Sequence, residues 1–495
     1  MINILISLIS FFLGLIPLWQ MYTWERSGGK SLLRFTFVFF SVQHIAFGIG
    51  GSLSAIFDKN YSYLTLHGFF PYADGFARLQ LINLISLYAA LAGMWAIIAG
   101  RRTIGASLHG CSSGHLHDHL SAMPASQFES LRMVCYLSLV FHAFIVSSQL
   151  YFVYTEVPTT DVLRYLIQVG AKVASATFLI VGLWWPHGHR ERWIFATYFL
   201  VYGILQLATQ GRAQVLYAEV LFYMGLLMSS PRWLMRPLRF VVAVIIAVLI
   251  SLVAVKSEDV RLVYHSRVPA SLWELPSRVA MLLGPKRIGV DNSGAVLHNP
   301  EKLGRTLFRL GARMNELAAL DVVARTPEKF PYWGWSEQDW SRLRTGWLPA
   351  FLLTDIPKDE NSGVLFLRHY GWAVDPENGH SMPVTVLADS WRRFGSPGVI
   401  VVYFFLGAFL FTLTTLMTTI FKLEEGRLSV PAIVFSSALI YLTMFSYTKD
   451  IITAVTSMPR EAVVALGYSA VISTGCWLIN ARWARVRAGG RVRLS

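Results

Sequence analysis

The sequence predicts an all-α polytopic integral membrane protein, with about 11 transmembrane helices and one large, mainly helical loop on its outer face. Three observations predict it. The 495-residue chain is 54% hydrophobic and only 15% charged, with mean hydropathy +0.48, whereas about a quarter of the residues of a soluble domain are charged. Apolar runs of roughly 20 residues, the length that crosses a bilayer, recur along the chain. A single polar insert, residues 256–396, interrupts them with nearly balanced charge, 18 Lys/Arg against 16 Asp/Glu.

The first run, 2–21, has neither a basic leader nor an A-x-A-like cleavage site and reads as a span rather than a removed signal peptide. The next seven lie at 33–57, 79–99, 131–152, 163–184, 193–209, 213–229 and 238–255, and the last three at 399–420, 430–447 and 462–479. Alternate short connections are rich in basic residues: Arg26, Lys30 and Arg34; Arg101 and Arg102; Arg190 and Arg192; Arg232, Arg236 and Arg239; Lys422 and Arg427. The intervening ones are poor, and the positive-inside rule makes the rich set cytoplasmic. The N-terminus and the large loop are then expected outside and the C-terminus inside. The chain divides into an N-terminal bundle (1–255), the loop (256–397), C-terminal spans (398–481) and a basic tail (482–495).

The net charge of +14 sits in these short connections and the tail, so it reports orientation and not a nucleic-acid partner. Cys111, Cys135 and Cys476 form no disulfide framework or zinc spacing, and no metal or cofactor is expected. His115, His117 and His119 lie in a polar connection that reads as a solvated loop.

Several residues have the chemistry of a site. Arg212 follows Gly211 between two apolar runs, in a connection so short that the helices must turn abruptly. Its guanidinium suits a phosphate, or it snorkels to the headgroups. Lys172 lies near the middle of the fifth span, where an ionisable residue is costly and usually faces a polar interior. His44 and His142 lie within spans and read as neutral donors to neighbouring helices. In the loop, Arg305, Arg309 and Arg313 recur every four residues beside an apolar stripe, as an anion-binding face or a solvated one. Tyr332 and Trp333 begin an aromatic stretch, extended by Trp340 and Trp347, that suits either the apolar face of a sugar ring or the headgroup layer. His380 precedes the ninth span closely enough to reach the membrane surface as a base, and Asp389 is the alternative carboxylate.

In order, these motifs resemble the bacterial O-antigen and exopolysaccharide polymerase family (Wzy-type oligosaccharide repeat unit polymerases), related to the O-antigen ligases. The resemblance rests on Gly211-Arg212, Arg313-Met314-Asn315, Thr326-Pro327, Tyr332-Trp333-Gly334, Ile356-Pro357-Lys358 and Phe394-Gly395-Ser396-Pro397-Gly398. Lys358 stands where the family pattern has arginine. His380-Ser381 occupies the place of the histidine motif of the ligases.

The resemblance implies an inner-membrane glycosyltransferase that joins undecaprenyl-pyrophosphate-linked oligosaccharide repeats at the periplasmic face, without metal and with inversion. A flippase and a chain-length regulator would be its partners. His380 would be the general base, and Arg212 and Arg313 would neutralise the pyrophosphate. Arg309 and Lys172 would assist them, with Tyr332 and Trp333 binding sugar. A ligase-like glycan transferase and a transporter of polysaccharide or lipid-linked sugar are the competing readings.

Overall fold

The computed structural model describes residues 2–26, 40, 44, 48, 73–103, 125–153, 160–188, 190–209, 212–229, 238–239, 241–242, 245–246, 273–283, 337–347, 385–420, 431, 433–435, 437–439 and 450–491. Among these, all regular secondary structure is helical and there is no strand. Five helical stretches are long and apolar enough to cross a membrane: Leu79–Gly100, Glu129–Phe152, Tyr165–Trp184, Val386–Thr412 and Ile451–Arg482. Leu5–Pro17 and Arg192–Ala208 are apolar but shorter. Most of the expected spans 33–57, 238–255 and 430–447 lies outside the described residues.

Helix α1 (Ile2–Arg26) shows why this packing suits lipid. Ser7, Ser10 and Gly14 recur on its inner face, while Leu5, Ile9, Phe12 and Ile16 are exposed. Large apolar side chains outside and small or polar ones inside reverse the pattern of a water-soluble helix. Helix α2 (Ala73–Thr103) repeats it: Gln80, Asn83, Ser86 and Ala90 are buried, and Leu81, Ile85 and Trp95 are exposed.

Close backbone contact replaces the hydrophobic effect as the packing device, as expected between helices in lipid. A Cβ at Gly93 of α2 would strike the Phe404 carbonyl of α10 (Val386–Ile420), and one at Gly407 would strike the Ala90 carbonyl. Gly182 of α5 (Ala176–Trp184) and Gly225 of α7 (Arg212–Ser229) meet in the same way.

Helix α3 (Ala125–Ser148) ends in a π-helical turn, Gln149–Val153. Helix α4 (Asp161–Ala174) is capped by Thr160, whose side chain accepts from the Leu163 N–H, and it breaks from α5 at Ser175. The Ser175 hydroxyl bonds back to the Ala171 carbonyl at 3.0 Å. Helix α6 (Arg192–Ala208) closes at Thr209, and α7 begins at Arg212. Two short helices from the expected loop follow, α8 (Glu274–Leu283) and α9 (Glu337–Thr345). Helix α8 packs on α6, and α9 packs on α11 (Ile451–Arg491).

Side-chain contacts give the relative directions. Tyr136 meets Phe195 and His142 meets Tyr198, so α3 and α6 run parallel. Phe199 meets Phe222 and Gly203 faces Val215, so α6 and α7 form an antiparallel hairpin. Phe141 meets Tyr468 and Leu137 approaches Gly475, so α11 runs against α3 and with α7. Helices α7 and α11 therefore begin at the same end of the bundle.

Candidate functional site

At that end, the loop helix α9 is bolted to the start of α10 and α11 by three aspartates and three arginines. Asp450 opens α11: its Oδ1 accepts the Thr453 N–H at 3.0 Å, the side-chain cap that frees the helix of one orphan donor. Thr385 caps α10 in the same way, accepting the Ala388 N–H at 3.2 Å. These caps fix where each helix starts, and the charges hang from the first turns.

Arg393, fully buried, donates through both terminal nitrogens to the Asp339 carboxylate on α9, at 2.8 and 3.2 Å, and through Nε to Asp389 Oδ2 at 3.0 Å. Arg392 donates to Asp389 Oδ1 through Nε at 3.0 Å and again through a terminal nitrogen. The backbone N–H of Ile451 donates to Asp389 Oδ2 at 3.0 Å, which ties α10 directly to α11. Arg342 of α9 donates to both Asp450 oxygens, at 3.3 and 3.1 Å, and to the Thr453 hydroxyl at 2.6 Å. Burial lifts the Asp450 carboxyl. The charge of Arg342, the hydroxyl and N–H of Thr453 and the Arg342 hydrogen bond outweigh it, leaving Asp450 below its ordinary 3.8.

This junction is neutral, saturated and tight, so its chemistry is that of a fastener. Asp389, the alternative base in the sequence, accepts two hydrogen bonds on each of its oxygens. Just after the junction α10 bends at Gly395, whose φ of 65° and ψ of −154° only glycine adopts without strain. Pro397 lacks the N–H that would carry the helix across. The Phe394-Gly395-Ser396-Pro397-Gly398 motif is thus the bend that turns the junction segment into a membrane helix.

Of the residues singled out in the sequence, Arg212 is the first residue of α7, at the end where the junction lies. Lys172 is half-buried in the last turn of α4. Arg309, Arg313, Tyr332, Trp333 and His380 lie outside the described residues. Trp340 and Trp347 are exposed beside the junction. Both intramembrane histidines reach a neighbouring element: His44 Nε2 lies 3.1 Å from the Phe11 carbonyl, and His142 Nδ1 bonds the Tyr198 hydroxyl among aromatic rings. Among the described residues, no group of three His, Cys, Asp or Glu is placed to hold a metal ion.

Sequence reasoning missed the junction's partners. Asp339 and Asp450 are far from Asp389 along the chain, and the only local signal was the Trp391-Arg392-Arg393 run before a span. Comparison with known proteins adds no relative: no family model, no curated protein and no solved structure matches this chain.

Proposed function

We propose that this protein is a glycosyltransferase that joins lipid-pyrophosphate-linked oligosaccharide repeats into O-antigen or exopolysaccharide at the periplasmic face of the inner membrane. The observation that carries this reading is that Arg212 and the loop junction share one end of the bundle. The α6–α7 hairpin turns there, which leaves Arg212 at a helix N-terminus, where unpaired N–H groups and the helix dipole favour an anion. The loop helix α9 is fastened at the same end. A pyrophosphate at Arg212 would then lie at headgroup depth under a folded cover. The substrate class comes from the family resemblance that the ordered loop motifs carry.

In this reading the acceptor hydroxyl attacks the anomeric carbon, and the bond to the lipid pyrophosphate breaks with its electron pair. The growing negative charge is met by Arg212 and Arg313, aided by Arg309 and Lys172. Purified protein in nanodiscs, supplied with undecaprenyl-pyrophosphate-linked repeats, should lengthen them. Arg212→Ala should lower the rate at least ~100-fold while the protein still reaches the membrane. Unlengthened glycan from the wild-type protein, with labelled lipid crossing a vesicle bilayer, would establish a transporter instead.

A further inference from the structure

Among the described residues, the seam between α6 and α7 holds two buried acceptors with no partner. Gln206 is only 2% exposed, yet its Oε1 has no hydrogen-bond partner. The Oε1 of Glu219 is likewise buried and unpartnered. A buried polar atom without a partner is costly, and more so where water is scarce. Two in one seam need a reason.

The helix register places them together. Phe199, Gly203 and Gln206 recur at i, i+4 and i+7, so they share one stripe of α6. Val215, Glu219 and Phe222 do the same on α7. The stripes face one another, because Phe199 packs on Phe222 with ring centroids 5.1 Å apart and Gly203 looks across at Val215. Glu219 lies between those two contacts along α7. Among the described residues, a Cβ built on Gly203 would meet only Val215, at 4.0 Å, so the missing side chain leaves room in the seam. Arg212 is the first residue of α7. Seven residues separate it from Glu219, about 10 Å along the axis at 1.5 Å per residue, which keeps Glu219 within reach of the headgroup layer.

We infer that the α6–α7 seam is a hydroxyl-binding site, in which Gln206 orients a sugar hydroxyl and Glu219 takes its proton. The inference rests on the polymerase reading and supplies the base for it. The acceptor hydroxyl donates its one proton toward the Glu219 carboxylate. The Gln206 amide, turned over, gives its N–H to the hydroxyl oxygen. As the hydroxyl oxygen bonds to the anomeric carbon, its proton passes to the Glu219 carboxylate. The anomeric C–O bond to the pyrophosphate breaks, and its electron pair leaves with the lipid pyrophosphate beside Arg212. Glu219 is then a catalytic residue and Gln206 a binding residue, and neither Asp389 nor a metal is required for the proton.

The test uses the full chain in nanodiscs with undecaprenyl-pyrophosphate-linked oligosaccharide. Glu219→Gln should slow lengthening about 100-fold or more, the lower range of general-base effects, with KM within threefold. The acid limb of the pH–rate profile should vanish with it, and Glu219→Asp should restore part of the rate. Gln206→Ala should raise KM about tenfold. Thermal midpoints should not fall in Glu219→Gln, since no protein partner of that oxygen is lost; a marked fall would make the residue structural and overturn the inference. Wild-type lengthening matched within threefold by Glu219→Gln would also overturn it.

A wild-type protein that lengthens nothing would defeat the polymerase reading separately. The site is then judged by labelling Glu219 with a hydrophobic carbodiimide. Protection by the same glycan lipid, and not by undecaprenyl pyrophosphate alone, would uphold a sugar site. Equal labelling in all three conditions would remove it.

Discussion

Asp389 accepts four hydrogen bonds, from two nitrogens of Arg392, Nε of Arg393 and the N–H of Ile451. Such a carboxylate binds structure together. Its neighbour Arg393 spans two carboxylates from a fully buried position. Arg393→Met should therefore destabilise the protein by about 3–5 kcal/mol, because it strands buried charge on Asp339 and Asp389. Adding Asp339→Leu should return part of that loss, as read from thermal midpoints in detergent. Asp450 gives a pH dependence. Its folded carboxyl titrates below the ordinary 3.8, so its contribution is complete above that value and is lost as the pH falls through the depressed one. The thermal midpoint of the wild type should drop in that acid window, and Asp450→Asn should flatten the drop. An unchanged slope in the variant would remove Asp450 as its source. The pairing between helices is not visible in sequence, because Asp339, Asp389 and Asp450 meet only when three separate helices do.

At the scale of elements, the helices were legible wherever an apolar run ended in a cap or a breaker. Thr160, Thr385 and Asp450 each accept an N–H three residues on, and α4, α10 and α11 start there. The spans expected at 399–420 and 462–479 belong to helices that begin earlier, at Val386 and Ile451. Hydropathy misses the start of α10 because Asp389, Arg392 and Arg393 lie there, and the start of α11 because Pro459, Arg460 and Glu461 interrupt the run. The bend in α10 depends on one residue: Gly395→Ala should cost about 1–2 kcal/mol, the penalty for an L-residue at positive φ, and should loosen α9 without unfolding the bundle. Faster proteolysis near Thr345, with the membrane fragments intact, is the expected result. Protection equal to that of the wild type would show that the bend tolerates a Cβ.

At the scale of the whole molecule, the alternation of basic connections orders the helices in a way the contacts repeat: α3 and α6 run one way, α7 and α11 the other. Sidedness is an expectation from charge, and it has a direct test. With Cys111 replaced by serine, a cysteine introduced at Ser293 should react with a membrane-impermeant maleimide from the periplasmic side, and one at Ser495 should not. The remaining thiols, Cys135 and Cys476, are buried. The reverse pattern would invert the protein and place the proposed site in the cytoplasm.

Sequence by itself determined the class of protein and its helical character, because hydropathy and charge asymmetry are local properties of the chain that the bilayer reads directly. It also marked Arg212, whose place in a short turn needs no knowledge of neighbours. Only the tertiary structure decided that Asp389 is a fastener, that the loop helix α9 is held at the end where Arg212 begins α7, and that Gln206 and Glu219 lie on facing stripes of α6 and α7. Those are facts about which helix stripes meet. In a membrane bundle that choice depends on small residues such as Gly182, Gly225 and Gly407, whose role is visible only once the opposing backbone is in place.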